Sequence, residues 1–551
     1  MSGTGQPENL KDTGTFDYII VGGGTAGSLL ANRLSRDPKT RVLVLEAGGK
    51  DNWIWFHIPI GYLFAIGNPR SDWCYKTESV PGLNGRSIGY ARGKVIGGCT
   101  AINAMVYMRG QARDYDMWRQ QGLTGWGWDD VLPYFLKHED HFGGDDVDAS
   151  GKRIHASGGE WRVEEPRVRW DIIDRVAEAG EEIGIPRVKD FNTGNNEGSA
   201  YFQVNQRRGV RWSAATAFLK PVLNRPNLEL RINVQVERVQ LEGRRAAGIV
   251  YTRNGERCFV RANAEVILAA GAINSPQLLQ LSGIGPAALL REHGIEVRHD
   301  LPGVGENLQD HLQLRLIYKV KGVRTINEID RSWFAKAQIA FNYALFRRGA
   351  LTMPPSQFGM FTRSSPEHET PNVEFHIQPL SLDKFGDPLH RFPAFTASIC
   401  NLRPTSRGHV RIKSADPRQA PAIQPNYLDT EEDKRVAIDS LKLTRRLAAA
   451  KALARYQPEE YLPGAAIQSE TEILRAAGDI GATIFHPVST AKMGIDSDPM
   501  AVLDERLRVR GIERLRVIDA SAMPLITSGN TASPTLMIAE KGAEMLLADN
   551  R

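Results

Sequence analysis

The chain has 551 residues, enough for more than one domain or one large two-lobed unit, and 42% of them are hydrophobic, ordinary for a globular protein with a full core. The net charge of +5 is small for this length, and no basic block with interleaved aromatics argues for nucleic acid. Four scattered cysteines (Cys74, Cys99, Cys258, Cys400) without a CxxC pair argue against a disulfide framework or a metal site, so none is expected.

Residues 1–15 read as a disordered leader, polar and without a charged-then-apolar signal pattern. No apolar run approaches a membrane span. The expected location is the cytoplasm, with peripheral contact at the inner face of a membrane left open.

A buried-type strand, Tyr18–Val21, runs into Gly22-x-Gly24-x-x-Gly27. A helix with Leu29, Leu30 and Leu34 on its apolar side follows, then a second strand, Val42–Leu45, ending at Glu46. This is the order of a dinucleotide-binding βαβ unit. Gly22 permits the tight turn, Gly24 lets backbone approach the pyrophosphate, and Gly27 lets helix and strand pack closely. The helix start, with Thr25 and Ala26, offers free N–H groups to phosphate. Glu46, followed by Ala47, stands where an acid can hold both ribose hydroxyls, which disfavours a 2′-phosphate. Taken alone, the unit suggests NAD.

Trp53–Tyr90 reads as irregular and aromatic-rich, and residues 143–159 as a surface loop. Asp171–Ile183 has helical periodicity. Leu228–Val239, Ala246–Tyr251 and Ala264–Ala270 read as strands, the last ending at Gly271 before a helix. From about Gln313 to Ala482, strands (Asn372–Pro379, Ala397–Arg403, His409–Lys413) mix with helices (Asp330–Phe346, Glu431–Ala449), as in an inserted domain with an antiparallel sheet. Leu515–Asp519 reads as a returning strand and Ser533–Leu547 as a closing helix.

Two longer patterns are more specific than the βαβ unit. One runs from Gly93 through Gly97, Gly98, Cys99 and Thr100 to Asn103; the other runs from Gly271 through Ser275, Pro276 and Ser282 to Gly285. With Gly305–His311, Ser406-Arg407-Gly408, His486-Pro487-Val488 and Asp519–Pro524 leading to Asn530 and Pro534, they resemble the glucose–methanol–choline oxidoreductase family over about residues 16–547.

The resemblance implies FAD rather than NAD. It implies an α/β, Rossmann-like FAD-binding domain (16–158, 208–312 and 486–551). An α+β substrate-binding domain with an antiparallel sheet would take 159–207 and 313–485. Gly22, Gly24, Thr25, Ala26, Gly27, Glu46, Ala47 and Val236 would hold the ADP half. Arg92, Gly93, Gly97, Gly98, Asn103 and Ala104 would line the pyrophosphate and flavin, and Ala270 and Gly271, where a strand ends before a helix, would also bind the cofactor. Asp519 and Ala520 would contact the ribityl–pyrophosphate region, and Asn530 and Thr531 the pyrimidine edge. Some members attach FAD through a histidine just before the asparagine of the first pattern. Here that position is Ile102, so noncovalent FAD is expected. The segments His486-Pro-Val-Ser489-Thr and Asn530-Thr-Ala-Ser533-Pro-Thr depart from HPVGT and NTNAPT by hydroxyls beside the site.

Alcohol oxidation needs a base at the hydroxyl, and histidine titrates near neutrality. In the family pattern His486 is the candidate base and Asn530 its partner at the same oxygen. His57, His311, His376 and His409 read as structural or surface groups. The implied reaction oxidises a primary aliphatic or aryl alcohol to the aldehyde, with hydride to flavin N5 and electrons to a quinone or other acceptor. Choline is not favoured, since no carboxylate stands out as a trimethylammonium partner. An oxidase making hydrogen peroxide and a hydroxynitrile lyase stay open as alternatives. Trp333, Phe334, Phe341, Tyr343 and Phe346, with Met353–Phe361, read either as an apolar lid or as a helix packed on the sheet.

Overall fold

The computed structural model describes residues 10–148, 150–330, 333–383 and 387–550. In chain order the elements that build the two main sheets and their cover are β1 (Lys11–Val21), α1 (Thr25–Leu34), β2 (Val42–Leu45), α2 (Asp171–Glu182) and β3 (Gly198–Tyr201). Next come β4 (Leu228–Arg231), β5 (Gln235–Glu242), β6 (Arg245–Arg253), β7 (Glu256–Leu268), α3 (Gly271–Leu281) and β8 (Leu312–Lys319). Then follow α4 (Trp333–Phe346), β9 (Phe358–Thr362), β10 (Val373–Gln378), β11 (Ala394–Asn401) and α5 (Glu431–Ala448). The chain closes with β12 (Glu459–Leu462), β13 (Gly481–Thr483), β14 (Leu515–Val517) and α6 (Ala532–Asp549).

The first sheet has the order β4-β2-β1-β7-β6-β5, with β14 also on β7. Its β4, β2, β1, β7 and β14 pair in parallel, while β5 and β6 are antiparallel additions. Parallel strands must be covered on both faces, which is why Ile19, Ile20, Val42–Leu45 and Val266–Leu268 are almost uninterrupted apolar runs. On one side α1 buries Leu29, Leu30 and Leu34 beside α6, each such side chain worth about 1.5–3 kcal/mol of transfer free energy.

β1 begins at Lys11, within the expected leader, and Lys11 and Thr15 pair with Cys258 and Arg261. This extension is mostly exposed, so it carries no apolar run to announce a strand. The rest of the expected leader, residues 1–9, lies outside the described residues. Leu228–Val239 is not one strand. Asn233 takes a left-handed φ of 55°, and the chain leaves β4 at one edge of the sheet to enter β5 at the other.

The second sheet has the order β12-β8-β11-β10-β9-β3, with β13 on β8, and all its pairs are antiparallel. One face is apolar: Leu314, Leu316, Phe375, Ile377, Ala397 and Ile399 pack with α2 and α5. The opposite face is polar although buried. Gln313, Cys400 and Glu374 form one cross-strand row, and Arg315, Ser398 and His376 the next. His409–Arg411 does not join this sheet; it pairs with Ala422–Gln424 in a separate ribbon.

Candidate active site

One cavity of about 250 Å³ runs from the ends of β1, β2 and β7 to the polar face of the second sheet. Three helices start on it: Thr25 and Ala26 of α1, Gly271 and Ala272 of α3, and Thr531 and Ala532 at α6. None of the three has a side-chain N-cap, so first-turn N–H groups of α1 and α6 are offered to whatever fills the cavity, while at α3 Gly271 N is taken by Asp519.

Glycine roles divide sharply here. A Cβ on Gly27 would lie 1.8 Å from the Gly22 carbonyl oxygen, so only glycine lets α1 sit on β1. A Cβ on Gly24 would meet nothing nearer than Gly98 Cα at 3.7 Å, and one on Gly271 nothing within 4 Å. Both positions leave room on the cavity side for a ligand to approach backbone.

Glu46 accepts from Gly23 N (2.8 Å) and Gly48 N (2.7 Å), and burial pushes its carboxyl up to about 7 against those two bonds. Asp519 accepts from Gly271 N (2.8 Å) and Ser275 Oγ (2.6 Å) through one oxygen and from Ser521 through the other. Its carboxylate therefore ties the start of α3 to the chain after β14.

At the far end, His486 sits in a directed chain of hydrogen bonds. The Leu402 carbonyl can only accept, so His311 Nε2, 3.0 Å away, carries the hydrogen. His311 Nδ1 of the neutral ring then accepts from His486 Nδ1 at 3.0 Å. This leaves His486 Nε2 unprotonated, facing Asn530 Nδ2 at 3.0 Å. Asn530 Oδ1 is buried without a hydrogen-bond partner among the described residues. Burial, and after it the neighbouring His311, His376 and Arg92, hold His486 well below the usual histidine range. Asp310 anchors both histidines by accepting from His486 N (2.8 Å) and His311 N (2.9 Å). Its other oxygen takes Tyr90 OH (2.8 Å), Thr483 Oγ1 (2.6 Å) and Tyr427 OH.

Every residue expected at the site lines this cavity except Gly27 and Gly97. Both shape it from behind, Gly97 N donating to the Gly23 carbonyl at 2.7 Å. His311 and His376, read from sequence as structural or surface groups, are instead buried at the site. His376 lines the cavity with Gln313, Ser356 and Gln378, and its Nε2 stands 3.2 Å from buried Glu374 Oε1. The signal was the polar alternation His311-x-Gln313-x-Arg315 and Glu374-x-His376-x-Gln378 inside strands otherwise apolar. Helix α4 does not pack an apolar face on the sheet: only Ala335 and Tyr343 are buried along it, and none of its residues lines the cavity, whereas Pro355 and Ser356 of the Met353–Phe361 stretch do.

A parallel-sheet nucleotide fold joined to an antiparallel substrate sheet, with a buried histidine between them, defines a flavin-type oxidoreductase. The chain belongs to the GMC oxidoreductase family, matching its N-terminal model over residues 16–313 and its C-terminal model over 404–539. It is 40% identical over 537 residues to an "Alcohol dehydrogenase [acceptor]" of Pseudomonas putida, covering 97% of this chain and 96% of that protein. It is also 40% identical to the mitochondrial choline dehydrogenase of Homo sapiens, covering 96% and 89%. Among solved structures, pyridoxine 4-oxidase from Mesorbium loti superposes with a TM-score of 0.86 at 32% identity, over 96% of this chain and 98% of that one. Family membership implies FAD, and the cavity suits it: glycine backbone and helix starts at one end, an orphaned buried amide oxygen at the other.

Proposed function

We propose that the protein oxidises a primary alcohol, aliphatic or aryl, to its aldehyde and passes the electrons to a quinone or another acceptor. FAD, bound noncovalently, would supply the hydride acceptor. Ile102 lines the cavity where a linking histidine would stand, which supports noncovalent attachment. Glu46, Gly24 and the α1 start would hold the ADP end; Asn103, Ala104 and Thr531 would face the flavin end.

The observation that carries the reading is the unprotonated His486 Nε2 beside Asn530. A hydroxyl placed against both gives its proton to Nε2 and accepts from Asn530 Nδ2. The low basicity of His486 keeps it neutral at ordinary pH, so the base is always ready, and His311 fixes the tautomer that points the lone pair at the substrate. The polar wall of Gln313, Ser356, His376 and Gln378 would hydrogen-bond polar groups carried on the remainder of either kind of alcohol. The name of the Pseudomonas relative supports an acceptor other than NAD.

His486→Ala should retain the bound-flavin spectrum while anaerobic bleaching of the flavin by an alcohol slows by about two to four orders of magnitude. Bleaching near the wild-type rate would overturn the assignment of the base.

A further inference from the structure

Helix α4 carries its large apolar side chains outward. Trp333 is 83% exposed, Phe334 76%, Phe341 61%, Leu345 60% and Phe346 60%. At 100° per residue, Phe334, Phe341 and Leu345 form one stripe, opposite Tyr343, whose buried hydroxyl donates to the Gly209 carbonyl at 3.1 Å. So dense an exposed cluster marks an interaction surface.

Its charge selects the partner. Residues 331–366 contain Arg331, Lys336, Arg347, Arg348 and Arg363 and no Asp or Glu, in a chain that has 69 basic and 64 acidic residues in all. Arg347 and Arg348 are exposed just beyond the helix, Arg347 with its guanidinium 4.8 Å from the Tyr343 ring. Glu328 and Asp330 precede the helix, so the cationic border is at its C-terminal end, and an apolar aromatic stripe that ends in cations suits an anionic lipid surface. The helix has 14 residues, about 21 Å at 1.5 Å per residue, short of the bilayer core, and no described helix is long and apolar enough to cross a membrane.

Position agrees with this. The chain leaves α4 through Ala350–Thr352, held by Gln206 Nε2 on the Thr352 carbonyl (3.0 Å), and reaches Pro355 and Ser356 on the cavity wall. The turn Pro59–Gly61 packs on Ala350–Thr352, and beside it lie exposed Ile54 and a Trp55–Phe64 stack at 4.1 Å.

We propose that α4 is a membrane-docking helix that lies in the interface of an anionic bilayer, the Phe334–Phe341–Leu345 stripe among the acyl chains and Arg347 and Arg348 at lipid phosphates. The docking is independent of the reaction proposed above and is tested apart from it. Holoenzyme is sedimented with phosphatidylcholine vesicles, pure or with about one-third phosphatidylglycerol. The wild type should pellet with the anionic vesicles. F334S/F341S/L345S should partition about tenfold less, and R347E/R348E should lose the preference for anionic lipid, both keeping the flavin spectrum and dye-linked activity of the wild type. Wild type left in the supernatant, or a triple variant that pellets like the wild type, overturns the proposal. So does a concentration-dependent dimer in sedimentation velocity that the triple variant abolishes, which assigns the face to a second copy.

Discussion

Glu46 is held by two backbone N–H groups yet remains hard to ionise, because burial outweighs them and lifts its carboxyl to about 7. In the apoprotein the raised value means that its ionisation opposes folding: its contribution is greatest below 4.5 and is lost as pH rises through about 7. In the proposed placement of FAD a ribose diol would donate to this carboxylate and reverse the preference, so that binding would expel a proton wherever Glu46 starts protonated. FAD affinity of the apoprotein should be level above about pH 7 and weaken below it, approaching tenfold per pH unit. Glu46→Gln should bind more weakly at pH 8 and lose that slope, as read by flavin fluorescence between about pH 5.5 and 8.5; a slope that survives assigns the proton to another group. Glu46 was readable from sequence because it closes a local βαβ pattern. The His311–His486 contact was not, since its members are 175 residues apart and only the pairing of β8 with β13 brings them together.

Among the elements, α1 shows how a residue outside the cavity controls it. The Cβ of Gly27→Ala would lie 1.8 Å from the Gly22 carbonyl oxygen, so α1 must lift from β1, and its N–H groups leave their aim. Overpacking of this kind should cost about 3 kcal/mol and abolish FAD binding. Gly24→Ala meets nothing nearer than 3.7 Å in the protein, so the apoprotein should melt as the wild type does while FAD affinity falls. Equal melting temperatures for the two apoproteins would refute the division of labour. Helical periodicity made α2 and α5 visible in the sequence, and apolar runs set off by turn and motif residues made α1, β2 and α6 visible. Such signals failed where tertiary context decides: at the Asn233 turn, which splits one apolar stretch between two sheet edges, and at α4, whose apolar residues look like core until their exposure is known.

At the scale of the molecule, the cavity is lined by residues from Val21 to Thr535, contributed by both sheets and by the chain between β13 and α6. The two-lobed design was legible because the family patterns bracket a long segment of different periodicity. The polar face of the second sheet was not, because alternation in a strand does not say which side looks at a cofactor. A ligand spanning the cavity joins the β1–β2 end to His486 and Asn530, so its binding energy adds to the cohesion of the whole fold. At a free FAD concentration 100 times the dissociation constant the gain is about 2.7 kcal/mol. The apoprotein should therefore melt about 2 °C below the holoenzyme in calorimetry, and FAD should restore the difference. In the proposed placement ADP would reach only the Glu46 end, so it should restore only part of the difference. If ADP restored the full melting temperature, the flavin end would contribute nothing to holding the lobes together, and the cavity would join them only through its nucleotide half.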